Sequence, residues 1–190
     1  MNSSIETFST ERLTAERLRP EHLSDYVRLF QDVRVMETLS PDGKPLPAAE
    51  VARWLQLSLD QWDRHHYGYW AIRTKDGNRF AGRAGLKSVD MLGKNEVELA
   101  YALLPEFWGQ GFATEISTAI LELAFKTIGL TEVVCFTLTT NLASQRVMKK
   151  VGFQFERDGV HVDLPHVFYR LRAAEFLAKR RSKARVRTLR

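Results

Sequence analysis

The sequence predicts one α/β domain: a mixed, mostly antiparallel sheet with helices on both faces. Three observations carry that prediction. The apolar period is helical up to about residue 65 and becomes strand-like after Gly68. Strand-like runs joined by a "KDGN" turn then follow one another as a meander. The nearly unbroken β-branched and aromatic run "EVVCFTLT" reads as a strand covered on both faces. A helical crossover from "VELAYALL" reaches it, which makes these two strands parallel neighbours with their carboxyl ends side by side.

Taken in order, "RLTAERLR" (Arg12 to Arg19) forms a first strand and Pro20 opens a helix in which Leu23, Tyr26, Val27 and Phe30 share one side. "SPDGKPLP" is a loop by its Pro and Gly content. A longer helix from Ala48 to His65 places Val51, Trp54, Leu55, Leu59 and Trp62 on one face. "YWAIRT", "RFAGRAGLKSV" and "EVELAYALL" are the meander, and a helix follows between Gly111 and Gly129. "NLASQRVMKKVG" is a short helix with Asn141 as N-cap and Gly152 as its stop. "FQFER" and "HVFYRLRAAEF" read as two closing strands.

The 190 residues, 44% apolar and 27% charged, suit a single core. Seven of the 28 Lys and Arg fall in the last twelve residues, so the body is slightly acidic and the net charge of +5 belongs to a tail. The reading is a domain over 1–178 and a solvated basic tail without fixed structure over 179–190, whose one alternative use is weak RNA or ribosome contact. One cysteine, Cys135, excludes an internal disulfide and reads as a small core residue. With no leader-like start and no long apolar run, a cytoplasmic protein without a membrane segment is expected, either monomer or homodimer.

The stretch with chemical content is "PEFWGQGFATE". Gly109 and Gly111 clear side chains away where a strand gives way to a helix, exposing N–H groups that suit a pyrophosphate. It is not a P-loop, lacking Gly-Lys-Ser/Thr, nor a dinucleotide fingerprint, lacking the third glycine. "WGQGFATE" resembles motif A of the GNAT acetyltransferases, in the form found in their RimJ/RimL-like branch. Trp108 stands where the wider superfamily has Gln or Arg. "NLASQRVMKKVGF" is similar to that branch's second element, and "STERLTAERLRPEHL" and "GYWAI" extend the likeness to about residues 9 to 172.

The resemblance implies a GNAT fold whose central parallel pair splays around acetyl-CoA, and an N-acetyltransferase acting directly on a primary amine, either a protein N-terminal α-amine or a small molecule. Trp108, Gly109, Gln110, Gly111, Phe112, Ala113 and Thr114 would form the pyrophosphate loop. Leu103 would meet pantetheine or the thioester carbonyl, and Asn141 the cofactor amide. Glu98 is the general-base candidate, Ser144 the proton donor to the departing thiolate beside the cofactor, and Tyr101 the alternative donor. The competing reading is an acyl-CoA-binding or sensing module without turnover. No metal is expected: His65 and His66 are adjacent on a helix and diverge by about 100°. His161 and His166 are assigned to a loop near Pro165, and Tyr67 and Trp70 to the border of an acceptor groove.

Overall fold

The computed structural model describes residues 5–91 and 93–188, with side chains through residue 182. Its eight strands form one sheet in the order β1-β2-β3-β4-β5-β6-β8-β7. β1 (Thr7–Ser9), β2 (Leu13–Arg17), β3 (Tyr69–Thr74), β4 (Phe80–Met91) and β5 (Lys94–Leu103) are antiparallel to one another in sequence. β6 (Glu132–Leu138) pairs antiparallel with β8 (Leu164–Arg172), which pairs with β7 (Gln154–His161). The two groups meet only where β5 and β6 run parallel, and there the register is the single pair Glu98↔Val134. The parallel neighbours expected from the crossover are present, and beyond that one pair they part.

The helix α3 (Ala48–His65) spans the residues its apolar spacing indicates, and buries Val51, Leu55 and Trp62. It packs against α1 (Leu23–Phe30), which follows a 3-10 turn at Pro20. A single short helix, α2 (Val33–Met36), lies between them, capped by the Asp32 side chain accepting from Arg34 N–H. The crossover helix α4 (Phe112–Leu123) ends in a wide π turn over Ala124–Ile128, and Gly129 closes it at φ 83°. In α5 (Leu142–Val151) Asn141 accepts from Ser144 N–H, the cap its position in the sequence indicates.

The last strand departs from expectation. β8 stops at Arg172 and the chain becomes α6 (Ala173–Thr188), because "AAEFLAK" consists mostly of strong helix formers once the Val167–Tyr169 run has ended. Phe176 is buried against Phe125 at a ring separation of 5.4 Å, and Arg180 pairs with Glu122. Part of the basic run 179–190 is therefore helical and docked at its start. Residues 189 and 190 lie outside the described chain.

Trp70 is also not where the aromatic reading placed it. It is fully buried, edge-on to Trp62 at 5.0 Å, and its indole donates to Ile5 C=O. A core role replaces the groove role. Tyr67 is buried at the rim of the same core, its hydroxyl 3.1 Å from Ser88 Oγ.

Candidate active site

The loop between β5 and α4 takes its shape from its glycines. Gly109 (φ 73°) and Gly111 (φ 81°) are both left-handed, and a Cβ on Gly109 would meet only open space. The first α4 N–H to reach an intrahelical carbonyl is that of Glu115, bonded to Gly111 C=O at 3.0 Å. The amides of Phe112, Ala113 and Thr114 are left facing outward with the positive end of the helix. Trp108 leans back, its indole donating to Leu103 C=O at 2.7 Å, and the Gln110 side chain donates to Glu106 C=O. Both side chains are thus turned back onto the protein, and the Trp108 N–H is bonded to Pro105 C=O, so neither side chain is left for a ligand.

The sequence reading missed what holds this loop. Arg12, just before β2, donates to Gln110 C=O at 2.9 Å and to Glu115 at 2.7 Å, and its own N–H and Thr10 Oγ1 bond the other Glu115 oxygen. Because a trans peptide points its C=O and N–H in opposite directions, anchoring Gln110 C=O aims Gly111 N–H away from Arg12. Burial pushes the Glu115 carboxyl up, but the bonds from Thr10 and Arg12 outweigh it and leave it below its ordinary value. Arg12 also offsets an anion that would otherwise repel a pyrophosphate at the helix start. Arg12→Ala is expected to weaken coenzyme A binding roughly tenfold, as loss of charge-assisted hydrogen bonds implies, with a Tm change of only a few degrees. Titration calorimetry and thermal melts check this.

Glu98 lies at the one rung joining β5 to β6 and is 8% exposed. Burial raises its carboxyl to about 7, against the opposing pull of Lys87 and Arg83. A carboxylate poised near neutrality suits proton abstraction from an ammonium. Lys87 is its direct cross-strand partner, so the two side chains share a face of the sheet.

Tyr101 and Ser144 meet on the opposite face. Tyr101 OH lies 2.9 Å from Ser144 Oγ and 3.2 Å from Ser144 C=O. The carbonyl can only accept, so when the phenol donates to it the serine hydroxyl donates to the phenol. Burial pushes the Tyr101 hydroxyl far up, with Cys135 adding and Ser144 opposing. The candidate base and the candidate donors thus sit on either side of β5, with the parted strands between them. Leu104 N–H donates to Ala81 C=O on β4, so by strand alternation the peptide groups of Leu103 face the gap. Its carbonyl is taken by Trp108 and its N–H remains available. Asn141 Oδ1 is committed to the cap.

His161 and His166 prove to be strand residues, at the end of β7 and in β8, rather than loop residues. Their rings are 5.4 Å apart, and both stand edge-on to Phe136 of β6. Burial lowers His161, helped by His166 and Lys87. Phe136 and the two histidines thus line the β6 side of the face that carries Glu98. A shallow cavity of about 540 Å³ adjoins the start of α4, lined by Thr10, Gly111, Thr114, Thr118 and Lys150 among others. The open glycine, the three outward amides and the one-rung gap fit a pyrophosphate followed by an extended thiol-bearing arm.

The acetyltransferase (GNAT) domain model matches residues 12–154, and the chain belongs to that family. Acetyl-CoA is the family's acyl donor. The uncharacterized N-acetyltransferase YoaA of Bacillus subtilis is 31% identical over 87 residues, 46% of this chain and 49% of YoaA. FsC-acetyl coenzyme A-N(2)-transacetylase of Aspergillus fumigatus is 28% identical, over 77% of this chain and 64% of its own. The chain therefore spans about half to two thirds of these relatives. In fold it resembles RimL, the ribosomal L7/L12 alpha-N-protein acetyltransferase solved with coenzyme A. The TM-score is 0.75 at 16% identity, covering 88% of this chain and 98% of RimL.

Proposed function

We propose that this protein transfers the acetyl group of acetyl-CoA directly to a primary amine, without a covalent enzyme intermediate. The observation that carries the reading is the position of Glu98, buried and raised to about 7 at the single rung where β5 and β6 part. Bound acetyl-CoA supplies an activated thioester. The amides of Gly111 to Thr114 hold its pyrophosphate, and Leu103 N–H faces the gap through which the acyl arm passes. Glu98 takes a proton from the incoming ammonium, the N–C bond forms as C–S breaks, and the Ser144–Tyr101 pair returns a proton to the thiolate. Asn141 would offer its free amide nitrogen to the arm.

The acceptor is a protein N-terminal α-amine or a small amine. An α-amine, with an ordinary pKa near 8, asks less of the base than a lysine near 10.4. The test is coenzyme A thiol release across peptides and small amines. Turnover with at least one class is expected, and tight coenzyme A binding with no turnover on any amine would favour the acyl-CoA-sensing reading instead. Tyr101→Phe is expected to cost about 10-fold in kcat with little change in acetyl-CoA KM, since it removes a proton route and leaves the loop intact. An unchanged kcat would assign that role to Ser144 alone. Weak RNA association through 179–190 is a separate proposal, and salt-sensitive RNA binding that survives removal of 179–190 would dismiss it.

A further inference from the structure

Across β4 from the candidate base lies a cation with no counter-ion. Arg83, Gly85 and Lys87 alternate onto the face that carries Ala102, Ala100 and Glu98 of β5. The Arg83 guanidinium stacks on Tyr69 at 4.0 Å and on Phe30 at 4.9 Å, with Tyr26 at 6.0 Å. Among the described residues no carboxylate pairs with it, and neither Arg83 Nε nor the neighbouring Tyr26 OH has a hydrogen-bond partner, although both atoms are buried. Tyr26 OH has Ser58 and Arg83 beside it as possible partners, but a guanidinium only donates, and buried donors in native proteins are nearly always satisfied, so the Arg83 fork calls for an acceptor.

The nearby acids do not supply one. Asp25 and Glu16 are bound to Arg73, and Glu96 is bound to Arg170. Only Glu98 is left on this wall, and it is not within ion-pair distance of Arg83. Lys87 has no ion pair among the described residues either. The face thus sets two cations that have no ion pair among the described residues around one buried carboxylate, Glu98, with only Ala100 and Ala102 between them on β5. Such a surface repels a polyamine and attracts an anion. Planar guanidinium presents a fork that matches a carboxylate.

We propose that the acceptor is a small amine carrying a carboxylate, which Arg83 holds, assisted by Lys87, while the amine is presented to Glu98. This rests on the reading of the Glu98 face as the acceptor side of an acetyltransferase. The substrate class is then an amino acid or amino-acid-like compound, with the carboxylate completing the bonding of the Arg83 fork.

The experiment measures kcat/KM for thiol release with α-amino acids and longer ω-amino acids, each beside its own carboxamide, and with spermidine. The acids should exceed their amides by about 10- to 100-fold, the size of a lost charge-assisted hydrogen bond. The acid-to-amide ratio should collapse in Arg83→Met, chiefly through KM, and be partly restored in Arg83→Lys. Because acid and amide are compared on one preparation, the ratio does not depend on how much of the variant folds. Amides or spermidine turned over as well as the acids, or a ratio unmoved by Arg83→Met, would overturn the carboxylate assignment and leave the acetyltransferase standing. No turnover with any amine, in protein that binds coenzyme A, would overturn both.

Discussion

Glu98→Gln is expected to lower kcat/KM by about 100- to 10,000-fold, the range general-base catalysis contributes, while coenzyme A binding stays within a few-fold of wild type. The wild-type profile should rise with pH through about 7, where Glu98 loses its proton, and the variant's residual activity should lack that limb. Stability should move the other way. The folded protein holds the Glu98 proton up to about 7, whereas the ordinary value is 4.5, so between those values the folded state binds the extra proton. The contribution is fully present below 4.5 and is lost as pH rises through 7. It is of the order of 3 kcal/mol. Glutamine has no charge to desolvate, so the variant should melt higher than wild type at pH 8 and nearly level with it at pH 4. Melting curves and initial rates across that range check both halves. Equal activity at pH 7.5 would remove Glu98 from the chemistry.

The second large effect belongs to Arg170, in β8 opposite Val134. Its guanidinium bonds Glu96 at 3.0 and 3.1 Å, Glu132 at 2.8 Å and Glu156 at 2.9 Å. Those carboxylates come from β5, β6 and β7, so one side chain ties four strands together beside the rung where β5 and β6 separate. Arg170 is 17% exposed and Glu96 14%, which sets that pair apart from a surface ion pair, while Glu132 and Glu156, at 40% and 35%, form its solvated rim. Arg170→Met leaves three carboxylates crowded without a cation. A loss of about 3–5 kcal/mol is expected, which for a chain this long is a Tm fall of the order of 10 °C. Acetyl-CoA KM should rise with it, because the base of the gap is no longer held. Arg170→Lys keeps the charge but not the fork and should recover only part of the loss. A Tm within about 2 °C of wild type would sink the assignment.

What the sequence disclosed follows the range of the interactions involved. The helix Ala48–His65, the buried strand at Val133 and the left-handed glycines at 109 and 111 are set by neighbours a few residues away. Their periods and residue types were readable. The three-residue β1 and four-residue α2 are too short to show a period, and the strand-like Val-Phe-Tyr run at 167–169 hid the start of α6. The site divided along the same line. Loop and cap residues could be named from local spacing. Arg12 reaches Glu115 over 103 positions, Arg170 reaches Glu96 over 74, and Arg83 acts through rings on α1 and β3. A charged residue in a strand looks the same in sequence whether it is solvated or buried among partners. That Glu98 and Tyr101, three residues apart, lie on opposite faces of β5 follows from strand alternation, but what each of them meets across the sheet does not.

The one-rung junction between β5 and β6 bears on how the sheet is kept from misassociating. A strand edge with unpaired peptide groups ordinarily recruits another chain, and proteins blunt such edges with charge, bulges or covering loops. Here two such edges lie inside the molecule, facing each other and closed at one end by Glu98, Val134 and the Arg170 fan. The same edges that would make an outer strand sticky are kept inside the molecule, where on the function proposed above they receive the pantetheine arm and no neighbouring chain can reach them.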